Sequence, residues 1–480
     1  MPPSIGRHCT RPPPGRQRRA RRPACQAAWP GWRLALPLIA VTFGCAVAAG
    51  QHSLQYRLQA GDHASYQVLT TVTTADGSQT LASSAEDVQV WCLGRQGDQL
   101  LILLDATPSA DGPLQLLYAA VFSIDESGRA RLSDEILSRL APLEGAIDLL
   151  PMLPLPVQGQ MAWTTPTDPY GRQWRCTSRG ADRRQSGHLR VDFQVDDLTG
   201  VAEVLGRSRR GRYWFDPILG CLSRLEVEEQ DDRRHTRSRT VAGRRELLRH
   251  GPAWAARRGD EAQRFLQVLR HEDRLLAEIT ARPDQFRWLL DQLDRLWLAF
   301  QSDLEPQAGS PFMRVAQARR AELSADASRL KARAELARRW LNQPARPWTL
   351  QDALGRTVTS ESIRRGVVIE CFWSSDSVWA LRVLWSLSRW QDQPGSPAVP
   401  LVCYNLDPDP AAARRAIEIC RGRLTQILGG PLRTVEPLPE LPVVRVLDRD
   451  GWVRGIWVGW DPAYAAARAL AARLSQEEGP

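Results

Sequence analysis

The sequence predicts a multidomain protein with three successive fold types: a β-rich antiparallel N-terminal domain, an α-helical connector and a C-terminal α/β domain. Three observations predict it. Apolar residues alternate at period two through the first half, at Leu54, Tyr56 and Leu58, at Val88, Val90 and Cys92, and at Leu100, Ile102 and Leu104, the pattern of half-buried strands. Near residue 255 the spacing lengthens to three and four, the period of an amphipathic helix. Beyond residue 346 short apolar runs alternate with helical segments, as in a βαβ arrangement.

The first segment, residues 1–49, reads as a signal peptide. It holds eight arginines and no acidic residue, and it ends in an apolar run from Leu34 to Ala49 closed by Ala46, Ala48 and Ala49. A basic start, a short apolar stretch and an A-x-A close are the marks of secretion. The run is short for a membrane span and contains Pro37, so an uncleaved signal holding the protein on a membrane is the lesser alternative. Thr42-Phe43-Gly44 before Cys45 is a poor lipidation signal. Removing the segment takes eight positive charges from the formal net charge of +9. The remaining chain is nearly neutral, which leaves no electrostatic footprint for nucleic acid. Six of nine cysteines remain: Cys92, Cys176, Cys221, Cys371, Cys403 and Cys420. Export permits a disulfide among the first three, with undetermined connectivity.

Residues 52–245 are expected to form antiparallel meanders, a curved sheet or half-barrel, with further strands over 188–195, 211–215 and 222–227 and a short helix near 134–143. An apolar concave face there would suit a lipid. Residues 255–343 form the connector. Phe265, Val268, Leu269, Leu276 and Ile279 make one stripe, and Phe286, Leu289, Leu290, Leu293, Trp297 and Phe300 a cleaner one after Pro283. A third helix is expected over 314–341. Either a shared core or an oligomer interface would bury these stripes.

Residues 346–475 read as strand 366–373, helix 377–390, strand 400–406, helix 410–428, hairpin 443–459 and helix 461–474. The runs at Val367-Val-Ile and Pro400-Leu-Val suit strands buried on both faces. Phe372-Trp-Ser-Ser-Asp-Ser-Val-Trp-Ala380 closes the first of them. Trp348-Thr-Leu-Gln-Asp-Ala-Leu-Gly-Arg-Thr-Val precedes it, Leu401 to Asp409 follows, and Leu441 to Gly459 carries Pro442 and a hairpin turn at Asp450-Gly451. In order and spacing these segments resemble exported thioredoxin-like domains of the redoxin and alkyl hydroperoxide reductase/thiol-specific antioxidant type. The resemblance covers about a quarter of the chain. It implies a C-terminal thioredoxin-like fold with an entry hairpin turning at Gly355 and a cis-proline at Pro442 facing the active site. It also implies a thiol-disulfide oxidoreductase or peroxidase.

The chain departs from that pattern where the chemistry would be. The two cysteine positions of the Cys-x-x-Cys hold Ser377 and Ala380 in Ser377-Val-Trp-Ala380. Dithiol exchange needs one thiolate to attack and a second sulfur to resolve the mixed disulfide. Ser377 at a helix start is a natural N-cap, and no histidine follows residue 271 to serve as a base. Asp407-Pro-Asp409 reads as a helix cap rather than a cation site, and metal-ligand spacing is absent. Trp379 either stands exposed beside Pro442 or folds inward over the site. Trp452, after a turn, is expected to be exposed. The leading expectation is an exported envelope protein whose redox-inactive thioredoxin-like domain is a binding or assembly module. A protein partner would meet it in the degenerate groove of Ser377, Trp379, Ala380 and Pro442, without cofactor or metal. The alternative is a redox protein working through one non-motif cysteine such as Cys371 or Cys403.

Overall fold

A computed structural model describes residues 54–97, 99–108, 118–125, 130–131, 153–156, 160–167, 172–182, 187–198, 201–304, 309–392, 399–419, 424–459 and 464–477. The signal segment, the helix expected near 134–143, Cys420 and Trp460 lie outside the described residues. No helix among the described residues is long and apolar enough to cross a membrane.

The alternating segments build one antiparallel sheet. Its strands are β1 Asp62–Thr74, β2 Thr80–Gln96, β3 Gln99–Pro108, β4 Tyr118–Ile124, β5 Ala130–Arg131, β6 Ala162–Thr164, β7 Arg172–Ala181, β8 Leu189–Asp197, β9 Arg207–Asp216, β10 Cys221–Asp231 and β11 Thr236–Arg249. They lie in the order β5-β4-β3-β2-β1-β11-β10-β9-β8-β7-β6. Two meanders therefore meet where β1 pairs with β11, from Asp62↔Arg249 to Thr74↔Thr236. Gly211 on β9 has no side chain for a physical reason. A Cβ there would stand 2.3 Å from the Glu226 carbonyl oxygen and 2.6 Å from the Phe193 ring.

The link from β8 to β9 holds a five-residue helix, α1 Val201–Leu205. Three long helices follow β11: α2 Pro252–Ala281, α3 Phe286–Leu304 and α4 Pro311–Trp340. Their stripes are buried, and they share one apolar cluster with the sheet. Phe265, Leu289, Trp297, Phe300 and Phe312 lie with Val88, Val90, Ile102 and Leu104. The helices are thus a cover for the sheet as well as a connector. Leu153 and Leu155 belong to the same cluster. Tyr56 Oη donates to the Leu153 carbonyl at 3.1 Å and Tyr213 Oη to that of Pro154. The sheet's apolar face therefore carries the chain's own side chains over this stretch.

Cys92, Cys176 and Cys221 are free, buried thiols, which corrects the expected disulfide. Each sits on a different strand, β2, β7 or β10, as an apolar side chain of the cluster. Burial pushes the Cys92 thiol up to about 11 and that of Cys176 up to about 12. It raises that of Cys221 as well.

The C-terminal part is a mixed sheet in the order β13-β12-β16-β15-β14-β17-β18. Its strands are β12 Thr349–Asp352, β13 Thr357–Thr359, β14 Val368–Trp373, β15 Leu401–Asn405, β16 Thr425–Leu428, β17 Val443–Leu447 and β18 Val453–Val458. Strands β14, β15 and β16 run parallel, and β17 and β18 extend the sheet antiparallel. The helices are α5 Ser360–Ile363, α6 Val378–Gln391, α7 Pro410–Ile419, α8 Leu432–Val435 and α9 Ala465–Glu477. Every residue of β14, β15 and β17 is buried, which agrees with runs that are apolar on both faces. The β12–β13 turn has Gly355 at φ 81°. One expectation fails: the helix over 410–428 ends at Ile419, and Thr425–Leu428 is strand β16, paired in parallel with β15. This part thus has a parallel core, an antiparallel hairpin and flanking helices, and its Leu441–Pro442 bond is cis.

Candidate functional site

Strand β14 ends at Trp373, and the chain turns through Ser374, Ser375 and Asp376 before α6 begins. The turn is pinned from the neighbouring strand. Asp407 accepts from Ser374 Oγ at 2.6 Å and from the Ser375 amide at 3.0 Å. Asn405 Nδ2 donates to the other Asp407 oxygen at 3.1 Å. Asp407 is buried, so its remaining contacts are internal and it holds the turn. Asp409 caps α7 by accepting from the amides of Ala411 and Ala412. Among the described residues no three His, Cys, Asp or Glu side chains group as a metal site.

Ser377 is the N-cap of α6. Its Oγ accepts from the Ala380 amide at 3.1 Å and donates to the Leu441 carbonyl at 3.4 Å. That second bond reaches the residue before cis-Pro442, so the structure brings Ser377, Ala380 and Pro442 to one place. The hydroxyl already serves a helix end and a loop carbonyl, and no histidine follows residue 271 in the sequence to act as its base. Such a serine is a cap rather than a nucleophile. Ala380 is wholly buried. Cys371 and Cys403 face each other in register on β14 and β15, both at 0% exposure. A thiolate needs access and stabilisation by nearby positive charge, and wholly buried strand thiols lack the access.

Trp379 is covered from outside its own sheet. It is half-buried and packs onto the core of the large sheet and its helices, and the Arg382 guanidinium lies 5.9 Å from its ring centroid. The covering elements come from one end of the large sheet. Val204 of α1 is 3% exposed, and it joins the apolar cluster of Ala380, Leu381, Leu384 and Ala416. Arg233, in the β10–β11 turn, lies 3.7 Å from Asp376. The two covering loops brace each other, because the Asp232 amide donates to the Gly206 carbonyl at 2.8 Å. An exposed groove of Trp379 and Trp452 beside Pro442 is therefore not what forms. Trp452 is 39% exposed, but it follows β17 whereas Pro442 precedes it, so the two sit at opposite ends of that strand.

On the other side of β14, the buried carboxylate of Glu370 accepts from Arg364 Nε at 2.9 Å and Arg445 Nε at 2.6 Å, and from the Tyr404 hydroxyl. Burial pushes this carboxyl up, but the two guanidiniums and the hydroxyl outweigh it. Its pKa is held below the ordinary glutamate range. Arg445 stacks on Trp340, 4.4 Å from its ring centroid, and on Phe372 at 4.9 Å.

Sequence reasoning missed Val204, Arg233, Asp407 and Glu370. Glu370 carried a signal, a lone charge inside an apolar run. The acidic turn after β15 was visible, but its role in holding Ser374 and Ser375 needs the parallel pairing of β14 and β15. Nothing marks Val204 or Arg233 in the sequence, because their contacts span about 140 residues or more.

No protein-family model matches the chain, and no curated protein does. Solved structures overlap part of it. The thioredoxin domain of a thiol-disulfide oxidoreductase from Bacteroides vulgatus matches at 15% identity over 27% of this chain and 97% of its own, with a TM-score of 0.25. The thiol:disulfide interchange protein DsbE from Chlorobium tepidum matches at 21% identity over 28% and 96%, TM-score 0.24. StoA from Bacillus subtilis matches at 18% identity over 26% and 96%, TM-score 0.23.

Proposed function

We propose that this chain is an exported cell-envelope protein in which a redox-inactive thioredoxin-like domain acts as a binding and assembly module. One observation carries the reading: where a dithiol would start α6, the Ser377 hydroxyl is spent on capping the Ala380 amide. The covering of this face by Val204 and Arg233 adds to it, since a face packed against the chain's own sheet has an assembly role already. Its residues, Ser377, Trp379, Ala380 and Pro442, then serve an internal dock, and a protein partner meets the molecule elsewhere. Export rests on the composition of residues 1–49. A redox role through a single cysteine would require a reachable thiol, and Cys92, Cys176, Cys221, Cys371 and Cys403 are all buried. Dithiothreitol-driven reduction of insulin by the purified protein tests the reading. No turnover above the uncatalysed rate is expected, and turnover abolished by a Cys→Ser change would overturn it.

A further inference from the structure

A groove remains open on a different side of the molecule. The end of α4, the link 341–346 and the loop after α8 enclose a cavity of ≈ 330 Å³ lined by Arg339, Trp340, Arg346, Val435, Pro437 and Arg445 among others. A second cavity of ≈ 530 Å³ shares Arg339 and Pro437 and continues along α4 past Glu335 and Arg338 to Leu438 and Pro439. The two adjoin between α4 and residues 435–439.

Its charges do not balance. Inside, Arg445 and Arg364 face Glu370, and Glu436 stands 3.7 Å from Arg445, so two cations meet two carboxylates. Arg338 is paired with Asp284 at 3.0 Å, and Glu335 with Lys331 at 3.8 Å. Arg339 and Arg346 are left. Both are exposed, and neither guanidinium has an acidic partner among the described residues. Between them Val435 is 56% exposed, while Leu336, Val453 and Leu438 supply apolar walls. Two cations without acidic partners and an exposed valine on one depression suit a segment that carries both acidic and apolar side chains.

We propose that this groove binds an acidic, partly apolar peptide segment of a partner protein, with carboxylates at Arg339 and Arg346 and an apolar side chain on Val435. The inference rests on the reading of the chain as a binding module and names where the partner sits and what it looks like. Electrostatic complementarity of this kind gives specificity and a salt-dependent on-rate. The test is fluorescence anisotropy of the full chain with a labelled peptide of about ten residues alternating glutamate and leucine, whose side chains alternate between faces when extended. Saturable binding is expected, weaker by about tenfold or more in R339E/R346E and at high salt. No saturation, equal binding to R339E/R346E, or equal binding of a serine–leucine peptide would overturn it. Insulin reduction by the same preparation would sink the redox-inactive reading, whereas lost peptide binding without such turnover sinks the groove alone.

Discussion

Replacing Val204 with aspartate asks whether the covered face of α6 is a cooperative interface. Val204 is 3% exposed among Ala380, Leu381, Leu384 and Ala416. Burying a valine stabilises by about 1.5–3 kcal/mol. A carboxylate in the same place costs several kcal/mol more, because these neighbours offer it no donor. The side chain must therefore leave, and the loss is capped by the work of undocking α1 from α6 and α7. A loss of about 3 kcal/mol moves the melting temperature of a unit this large by only a few degrees. The informative readout is accordingly the shape of the transition. Calorimetry of the parent protein should give one endotherm and V204D two, the thioredoxin-like part melting apart from the large sheet. V204A, which removes about two methyl groups, should cost about 1–2 kcal/mol and keep a single endotherm. A single, unshifted endotherm for V204D would refute the argument that this contact couples the two sheets.

Three further outcomes are expected. E370Q leaves Arg364 and Arg445 without their carboxylate, and breaking a buried ion cluster in this way should cost about 3–5 kcal/mol in urea unfolding; a loss under about 1 kcal/mol would contradict the buried cluster. The same group gives a pH dependence. Its folded pKa lies below its ordinary value of 4.5, so the unfolded chain takes up the proton first as pH falls. The stabilisation is complete above the ordinary value and is lost as pH drops through the lower folded one. Urea midpoints should fall on acidification below about pH 4.5 in the parent, and this component should vanish in E370Q. Finally, S377C/A380C restores two sulfurs at the start of α6, where a helix N-terminus favours a thiolate. The covering loops should still keep insulin out, so turnover should rise by about tenfold or more only when V204D is added. Equal turnover in the double and triple variants would show the face to be open.

Much of the smaller sheet was legible because its strands are buried on both faces and so read as apolar runs between turn residues, as at Val368–Trp373 and Leu401–Asn405. The large sheet was legible as alternation, and the long helices as stripes at helical spacing. Strand β16 was misread as helix because Leu424 to Leu428 is short and apolar enough for either, although Gly422 just before it is a break signal. That Ser377 and Ala380 bring no sulfur to the start of α6 could be read directly. What covers that face could not, since a five-residue helix between two strands carries no periodicity to mark Val204 as a contact. The direction taken by Trp379 was equally hidden, because an aromatic side chain satisfies either a surface or a core. The disulfide expectation failed for a related reason: cysteine counts report what a compartment permits, while the buried positions of Cys92, Cys176 and Cys221 are set by strand register.

The central proposal, that none of the described thiols does redox chemistry, is tested most directly by timed alkylation of the native protein followed by mass spectrometry. The account predicts that Cys92, Cys176, Cys221, Cys371 and Cys403 stay unmodified until the protein is unfolded. A fast-reacting thiol at Cys371 or Cys403, whose replacement by serine removes an insulin-reducing activity, would contradict it.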